Sequence, residues 1–227
     1  MHRPSGHNDV GELVHVSVDS TTVEANLSMP EHAEGVVLFA HGTGSTRHSP
    51  RNNFVAGELR DRGLAMLLID LLTPEEKAVD RRTRRVRFDI GRLAGRVVGA
   101  IDWLLQQPES QDLPVGIFGS STGAAAALIA AAERPQVTQA VVSRGGRVDM
   151  AEHVLSEVKV PMLFIVGGKD VPVLNLNRQA LAQLETEKRL EVVEGAGHLF
   201  EEPGALDEVA GLAREWYQRH LTRSEIG

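Results

Sequence analysis

The sequence holds no cysteine. Disulfides, thiolate metal sites and a cysteine nucleophile are therefore excluded, and the composition fits a reducing, cytoplasmic setting. Positive charge is outnumbered, 24 Lys and Arg against 31 Asp and Glu. A formal net charge of -7 argues against nucleic acid or an anionic membrane surface as a partner, because both are held chiefly through Lys and Arg. Long apolar runs are missing too: Gly35 to Ala40, Leu64 to Ile69 and Ala124 to Ala132 fall far short of the roughly 20 residues that a membrane-spanning helix needs. The first eight residues, Met1 to Asn8, lack the apolar centre of a secretory signal, so no export is expected. His2, His7, His15 and His32 are scattered without metal-ligand spacing, and neither a metal nor another cofactor is expected. These exclusions leave a small molecule as the expected partner.

What is present is enough apolar material for a sizeable core. With 227 residues, 42% of them hydrophobic, the chain reads as one domain over 1–227, with residues 1–10 flexible. Glu12 to Asp19 and Thr22 to Met29 alternate apolar and polar residues about a short turn, which predicts an antiparallel hairpin. From Gly35 the pattern changes to near-continuous apolar runs at Gly35 to Ala40, Leu64 to Asp70, Val115 to Gly119, Val137 to Ser143 and Met162 to Gly167. Such runs belong to strands buried on both faces. A last strand is read at Arg189 to Glu194. Between the runs lie helical patterns, notably the stripe Val86, Ile90, Leu93, Val97, Ile101 and Leu104, and the set Leu206, Val209, Ala213, Trp216 and His220. Alternation of this kind predicts a mostly parallel sheet of about eight strands with helices on both faces.

The chemistry is concentrated in Gly119-Ser120-Ser121-Thr122-Gly123. The apolar strand Val115 to Gly119 runs straight into it, and the helix-favouring run Ala124 to Ala132 follows. Strand, sharp turn and helix in this order hold a serine in a strained conformation with its hydroxyl above the sheet. Alone, the pentapeptide also fits an ordinary loop. Its context adds Asp170, directly after the strand Met162 to Val166, and then His198 in Gly195-Ala-Gly-His198. An alcohol is a weak nucleophile at neutral pH; His198 would take the Ser121 proton, and Asp170 would orient and stabilise the imidazolium. Asp149 also follows a strand and is the rival acid, although it reads better as a helix N-cap. The tetrahedral intermediate needs amide donors, for which Thr122 and Thr43 are the candidates, with Gly44 as the alternative to Thr43. In the same loop Ser49 and Pro50 read as an N-cap and first helical residue.

These residues resemble the α/β-hydrolase superfamily, and in particular its dienelactone-hydrolase-like branch of small hydrolases without a lid domain. The resemblance spans nearly the whole chain. It rests on His41-Gly-Thr-Gly-Ser-Thr-Arg-His-Ser-Pro-Arg-Asn52, Gly119-Ser-Ser-Thr-Gly123, Gly168-Lys-Asp170 and Gly195-Ala-Gly-His198-Leu-Phe-Glu-Glu-Pro203. It implies the α/β-hydrolase fold, with an N-terminal antiparallel hairpin and no large lid, since Ser143 to Val160 has room only for a short helix. The long first loop is similar to that of hydrolases sometimes joined to a phosphoribosyltransferase domain, and no such domain is read in these residues. The enzymes that name the branch use a cysteine nucleophile. Serine stands in its place here, which argues against dienelactone as substrate.

Arg144 and Arg147 follow a buried strand at the edge where open α/β sheets bind ligands, and they are candidates for holding an anionic substrate group. Arg47 and Arg51 in the first loop are further candidates; bracing of that loop is the competing reading. Arg81, Arg82, Arg84, Arg85 and Arg87 are offset by Glu75, Glu76, Asp80 and Asp89 and read as a solvated face. The expected activity is hydrolysis of an ester, lactone or thioester through an acyl-enzyme. A non-catalytic binding module on the same fold and an acyltransferase are the alternatives.

Overall fold

Alternating patterns fold as the half-buried edge of a sheet, and continuous apolar runs fold as its interior. The computed structural model describes residues 11–18 and 20–221; segment 1–10, expected to be flexible, lies outside these residues, as do His2, His7 and Asp19. The hairpin pairs β1 (Glu12–Val18) with β2 (Thr21–Ser28), Val16 opposite Val23. There follow β3 (Gly35–Ala40), β4 (Leu64–Ile69), β5 (Val115–Ser120), β6 (Thr138–Arg144), β7 (Met162–Gly167) and β8 (Lys188–Val193). One sheet of eight strands results, in the order β1-β2-β4-β3-β5-β6-β7-β8. β2 joins β4 antiparallel, and every pairing from β4 to β8 is parallel. Strands β3, β4, β5 and β7 are buried along their full length, as apolar runs without alternation require.

Parallel strands need crossovers, and the helices supply them on both faces. On one face α1 (Pro50–Arg60) packs against α6 (Ala205–His220), with Val55, Leu59, Val209, Ala213 and Trp216 in the core. On the other lie α3 (Ile90–Leu104), α4 (Thr122–Glu133), α5 (Val171–Gln183) and a run of tight helical turns at Val148–Glu157. That run is the short helix expected after the sixth strand, and the chain carries no large extra domain there. The α1 start is capped as its sequence predicts: the Ser49 hydroxyl accepts the Asn52 amide, with Pro50 at the first position.

α2 (Pro74–Thr83) starts on a capping box between Thr73 and Glu76 and ends where Arg84 turns left-handed, at φ 55°. Val86 lies in a separate short turn, Val86–Phe88, outside the α3 stripe in which the sequence pattern put it. The physical reason is Asp89, whose carboxylate accepts the Arg92 amide at 3.1 Å and starts a new helix at Ile90. The remaining stripe residues Ile90, Leu93, Val97, Ile101 and Leu104 are all buried, as expected. No described helix is long and apolar enough to cross a membrane.

Candidate active site

The carboxyl ends of β3, β5, β6, β7 and β8 meet at one edge of the sheet, where crossovers leave a crevice. Ser121 follows β5 directly and has φ 52° and ψ -121°, a backbone conformation that a side chain makes unfavourable. The surroundings impose it. The Ser121 amide donates to the Arg144 carbonyl at 3.2 Å, and the Ser121 carbonyl accepts from Arg147 and Ala124 at 3.0 and 3.1 Å. A Cβ on Gly123 would lie 2.2 Å from the Ala40 carbonyl oxygen, so only glycine lets α4 start this close to β3. A Cβ on Gly42 would lie 2.8 Å from that of Ser121, which explains the second obligatory glycine.

The loop after β3 is fixed by two networks. In the first, the Leu71 amide donates to His41 Nε2 at 3.0 Å, which leaves the proton on Nδ1. His41 Nδ1 then donates to the Gly42 carbonyl at 3.0 Å, where the Ser45 amide also donates at 3.1 Å. The Gly42 carbonyl and the Thr43 amide belong to one planar trans unit and point in opposite directions. Pinning the carbonyl therefore aims the Thr43 N–H. Burial pushes the His41 pKa below its ordinary value and keeps the ring neutral.

In the second network the Asp70 carboxylate, just beyond β4 and buried, accepts the Arg47 amide at 2.9 Å, the Arg47 guanidinium at 2.6 Å and the Lys77 ammonium at 2.7 Å. Burial raises its pKa, but the Lys77 and Arg47 hydrogen bonds outweigh that and leave the carboxyl below the usual range. Thr43 Oγ1 and Thr122 Oγ1 are 2.9 Å apart and share a hydrogen bond. That bond ties the loop to the start of α4, where the Thr122 amide is among those with no intrahelical acceptor.

Asp170 sits at the N-cap of α5, yet its side chain makes no capping bond. Its Oδ2 instead lies 2.6 Å from His198 Nδ1. A carboxylate only accepts, so Nδ1 is the donor and Nε2 is left free for chemistry. The His198 turn is braced by Glu202, whose Oε1 accepts the Gly197 amide at 3.0 Å. Asp149 faces elsewhere: Arg147 holds both its oxygens, at 2.9 and 2.8 Å. It stands within the first turn of Val148–Glu157 and is not the N-cap that the sequence suggested.

A cleft of about 260 Å³ is lined by Gly42, Thr43, Ser45, Ser49, Arg51, Ser120, Ser121, Arg144, His198 and Leu199. A second pocket of about 210 Å³, reached across Gly42, Thr43 and Ser45, has the apolar walls Leu71, Leu72 and Leu93 with Thr122 at its edge. Ser121, His198, Thr43 and Arg144 are thus brought together, with Asp170 behind the imidazole. Two of the arginines expected to meet an anion are not. Arg47 is spent on Glu24, Asn26 and Asp70, and Arg147 on Asp149, because each has a carboxylate within reach inside the fold. Arg81 and Arg87 of the basic run line the second pocket, and Arg87 is paired with Asp80 at 2.6 Å. Sequence reasoning gave no part to His41, Asp70 or Lys77. The one signal for His41 and Asp70 is position, just after the ends of β3 and β4; Lys77, inside α2, has none.

The dienelactone hydrolase family model matches residues 23–222. Two Mycobacterium tuberculosis proteins, named provisionally as phosphoribosyl transferases, are each 51% identical over 210 residues, or 92% of this chain. The chain spans 46% of their length, about half. The crystal structure of a dienelactone hydrolase from Anabaena variabilis is 58% identical, with a TM-score of 0.91 over 92% of this chain and 97% of that one. Est1E from Butyrivibrio proteoclasticus shares the fold at 14% identity, with a TM-score of 0.76 over 91% of this chain and 98% of its own.

Proposed function

The chain belongs to the dienelactone hydrolase family, and from that premise we propose that it hydrolyses an ester, lactone or thioester of a small to medium substrate through an acyl-enzyme formed on Ser121. The observation that carries this reading is the 2.6 Å contact between His198 Nδ1 and Asp170, with the imidazole in the same cleft as a serine held at positive φ. With Nδ1 engaged, Nε2 takes the hydroxyl proton as Ser121 Oγ attacks the carbonyl carbon, and Asp170 stabilises the imidazolium. The carbonyl oxygen becomes an oxyanion facing the Thr43 and Thr122 amides. His198 returns the proton to the departing alkoxide or thiolate. Water then enters the open cleft and attacks the acyl carbon as Nε2 takes its proton, and His198 returns that proton to Ser121 Oγ as the bond to the acid breaks. The M. tuberculosis relatives' name describes proteins of which this chain matches less than half.

The test is a panel of short-chain aryl esters and thioesters. Ser121→Ala is expected to lower kcat by about 10⁴-fold or more, and Asp170→Asn by about 10⁴-fold. Asp149→Asn, which disturbs the half-exposed Arg147 pair, is expected to stay within about 3-fold of wild type, since that pair lies outside the cleft. Equal losses in the two aspartate variants would contradict the assignment of the acid.

A further inference from the structure

Arg144 ends β6 beside Ser120, and its carbonyl accepts the Ser121 amide, so its side chain starts one residue from the proposed nucleophile. Two arginines are buried among the described residues. Arg96 has Glu76 at 3.0 Å; among the described residues Arg144 has no carboxylate within ion-pair distance. With 7% of its surface exposed, Arg144 has one long contact from Nη2 to Asn52 at 3.4 Å and stacks over Phe200 at 5.5 Å, while its Nε has no acceptor. The neighbouring charge is of the same sign: Arg51 lines the same cleft, and its Nε is also buried without an acceptor. Arg51 is partly neutralised by Glu201 at 3.2 Å, itself an exposed side chain. Burial, and secondarily Arg51, lower the Arg144 pKa to about 10, which still leaves the guanidinium charged at neutral pH.

A desolvated cation without a counter-ion is unfavourable, and proteins rarely keep one unless a ligand completes it. Here the open side of that cation faces a cleft that also holds Ser121 and His198. We propose that Arg144, assisted by Arg51, is the receptor for an anionic oxygen group on the substrate, a carboxylate or a phosphate, a few bonds from the scissile carbonyl. Two guanidiniums against Glu201 leave a net positive charge, which suits an anion. A planar guanidinium whose one hydrogen bond is long keeps N–H donors for the oxygens of such a group. The inference deepens the hydrolase reading and rests on it for the words substrate and scissile.

The experiment compares 4-nitrophenyl pentanoate with two chain-matched esters, 4-nitrophenyl hemisuccinate and the 4-nitrophenyl ester of 3-phosphonopropionate. In wild type, kcat/KM is expected to favour at least one anionic ester by about 10-fold or more, and the preference should shrink as salt is raised. The member that gains more identifies carboxylate or phosphate as the source. Arg144→Gln should cut the anionic-to-neutral ratio by about 10-fold or more, chiefly through KM, and Arg144→Lys should recover part of it. Binding of the same esters to Ser121→Ala protein by calorimetry gives a readout without turnover. Anion-dependent binding there, with no turnover in wild type, would keep the anion site and overturn the hydrolase reading. A ratio near one in active wild type, or a ratio that Arg144→Gln leaves unmoved, would overturn the anion site. Should Arg144→Gln not fold, Arg51→Gln and the wild-type salt series decide the matter, a flat result in both counting against the site.

Discussion

At the scale of the residue, Ser121 is held where a side chain is unwelcome. Its φ of 52° with ψ of -121° is imposed by bonds to Arg144, Arg147 and Ala124 on its two flanking peptides and by the close approach of α4 to β3. Strain of this kind amounts to roughly 1–3 kcal/mol, and it projects the hydroxyl into the cleft. Glycine adopts that conformation freely. Ser121→Gly is accordingly expected to abolish ester hydrolysis while raising stability by about 1 kcal/mol, a rise of roughly 2–4 °C in Tm by calorimetry. A lower Tm would show that the serine is unstrained or that its hydroxyl contributes to folding. The strain itself was legible in the sequence, because Gly-x-Ser-x-Gly between an apolar strand and an alanine-rich run calls for a sharp turn. The engagement of Arg47 and Arg147 was not, because sequence gives the charge of a guanidinium and not which carboxylate folding brings within 3 Å of it.

At the scale of the element, the loop from His41 to Arg47 is an aimed structure held from behind. His41 pins the Gly42 carbonyl and Asp70 clamps the far end, so the Thr43 amide is preset for the oxyanion role proposed for it. His41→Gln is expected to lower kcat by about 10-fold or more with KM nearly unchanged, since an oxyanion donor acts chiefly on the transition state. The same ring makes stability depend on pH. Its folded pKa lies below the unfolded value of 6.5, so as pH falls through 6.5 the unfolded chain takes a proton that the folded chain refuses, and stability declines towards the folded pKa. Asp70 acts in the same direction at lower pH: its folded pKa is below 3.8, so its contribution is present above 3.8 and lost as pH falls through the folded value. Tm measured from pH 7 down to pH 5 should fall, and more shallowly in His41→Gln. An equal slope in the variant would mean that His41 charges freely in the folded protein. The sequence marked this loop as the site of an oxyanion donor, but the support behind it joins the ends of two strands whose adjacency only the sheet order provides.

At the scale of the whole molecule, the sheet carries the function. Its interior strands were legible as unbroken apolar runs, and the hairpin as alternation, because burial on two faces or one leaves those patterns. Their order was not, since continuous apolar strands have no register signal of their own. That order places the ends of β3, β5, β6, β7 and β8 side by side, so that the segments after β3, β5, β6 and β8 line one cleft and Asp170 after β7 stands behind its imidazole. The central claim is that this assembly turns Ser121 into a nucleophile. The most direct test is to treat the protein with a fluorophosphonate, read the intact mass and map the adduct. One adduct on Ser121 is expected, formed rapidly in wild type and lost or greatly slowed in His198→Ala. No adduct in folded wild type, or an adduct on another residue, would contradict the account.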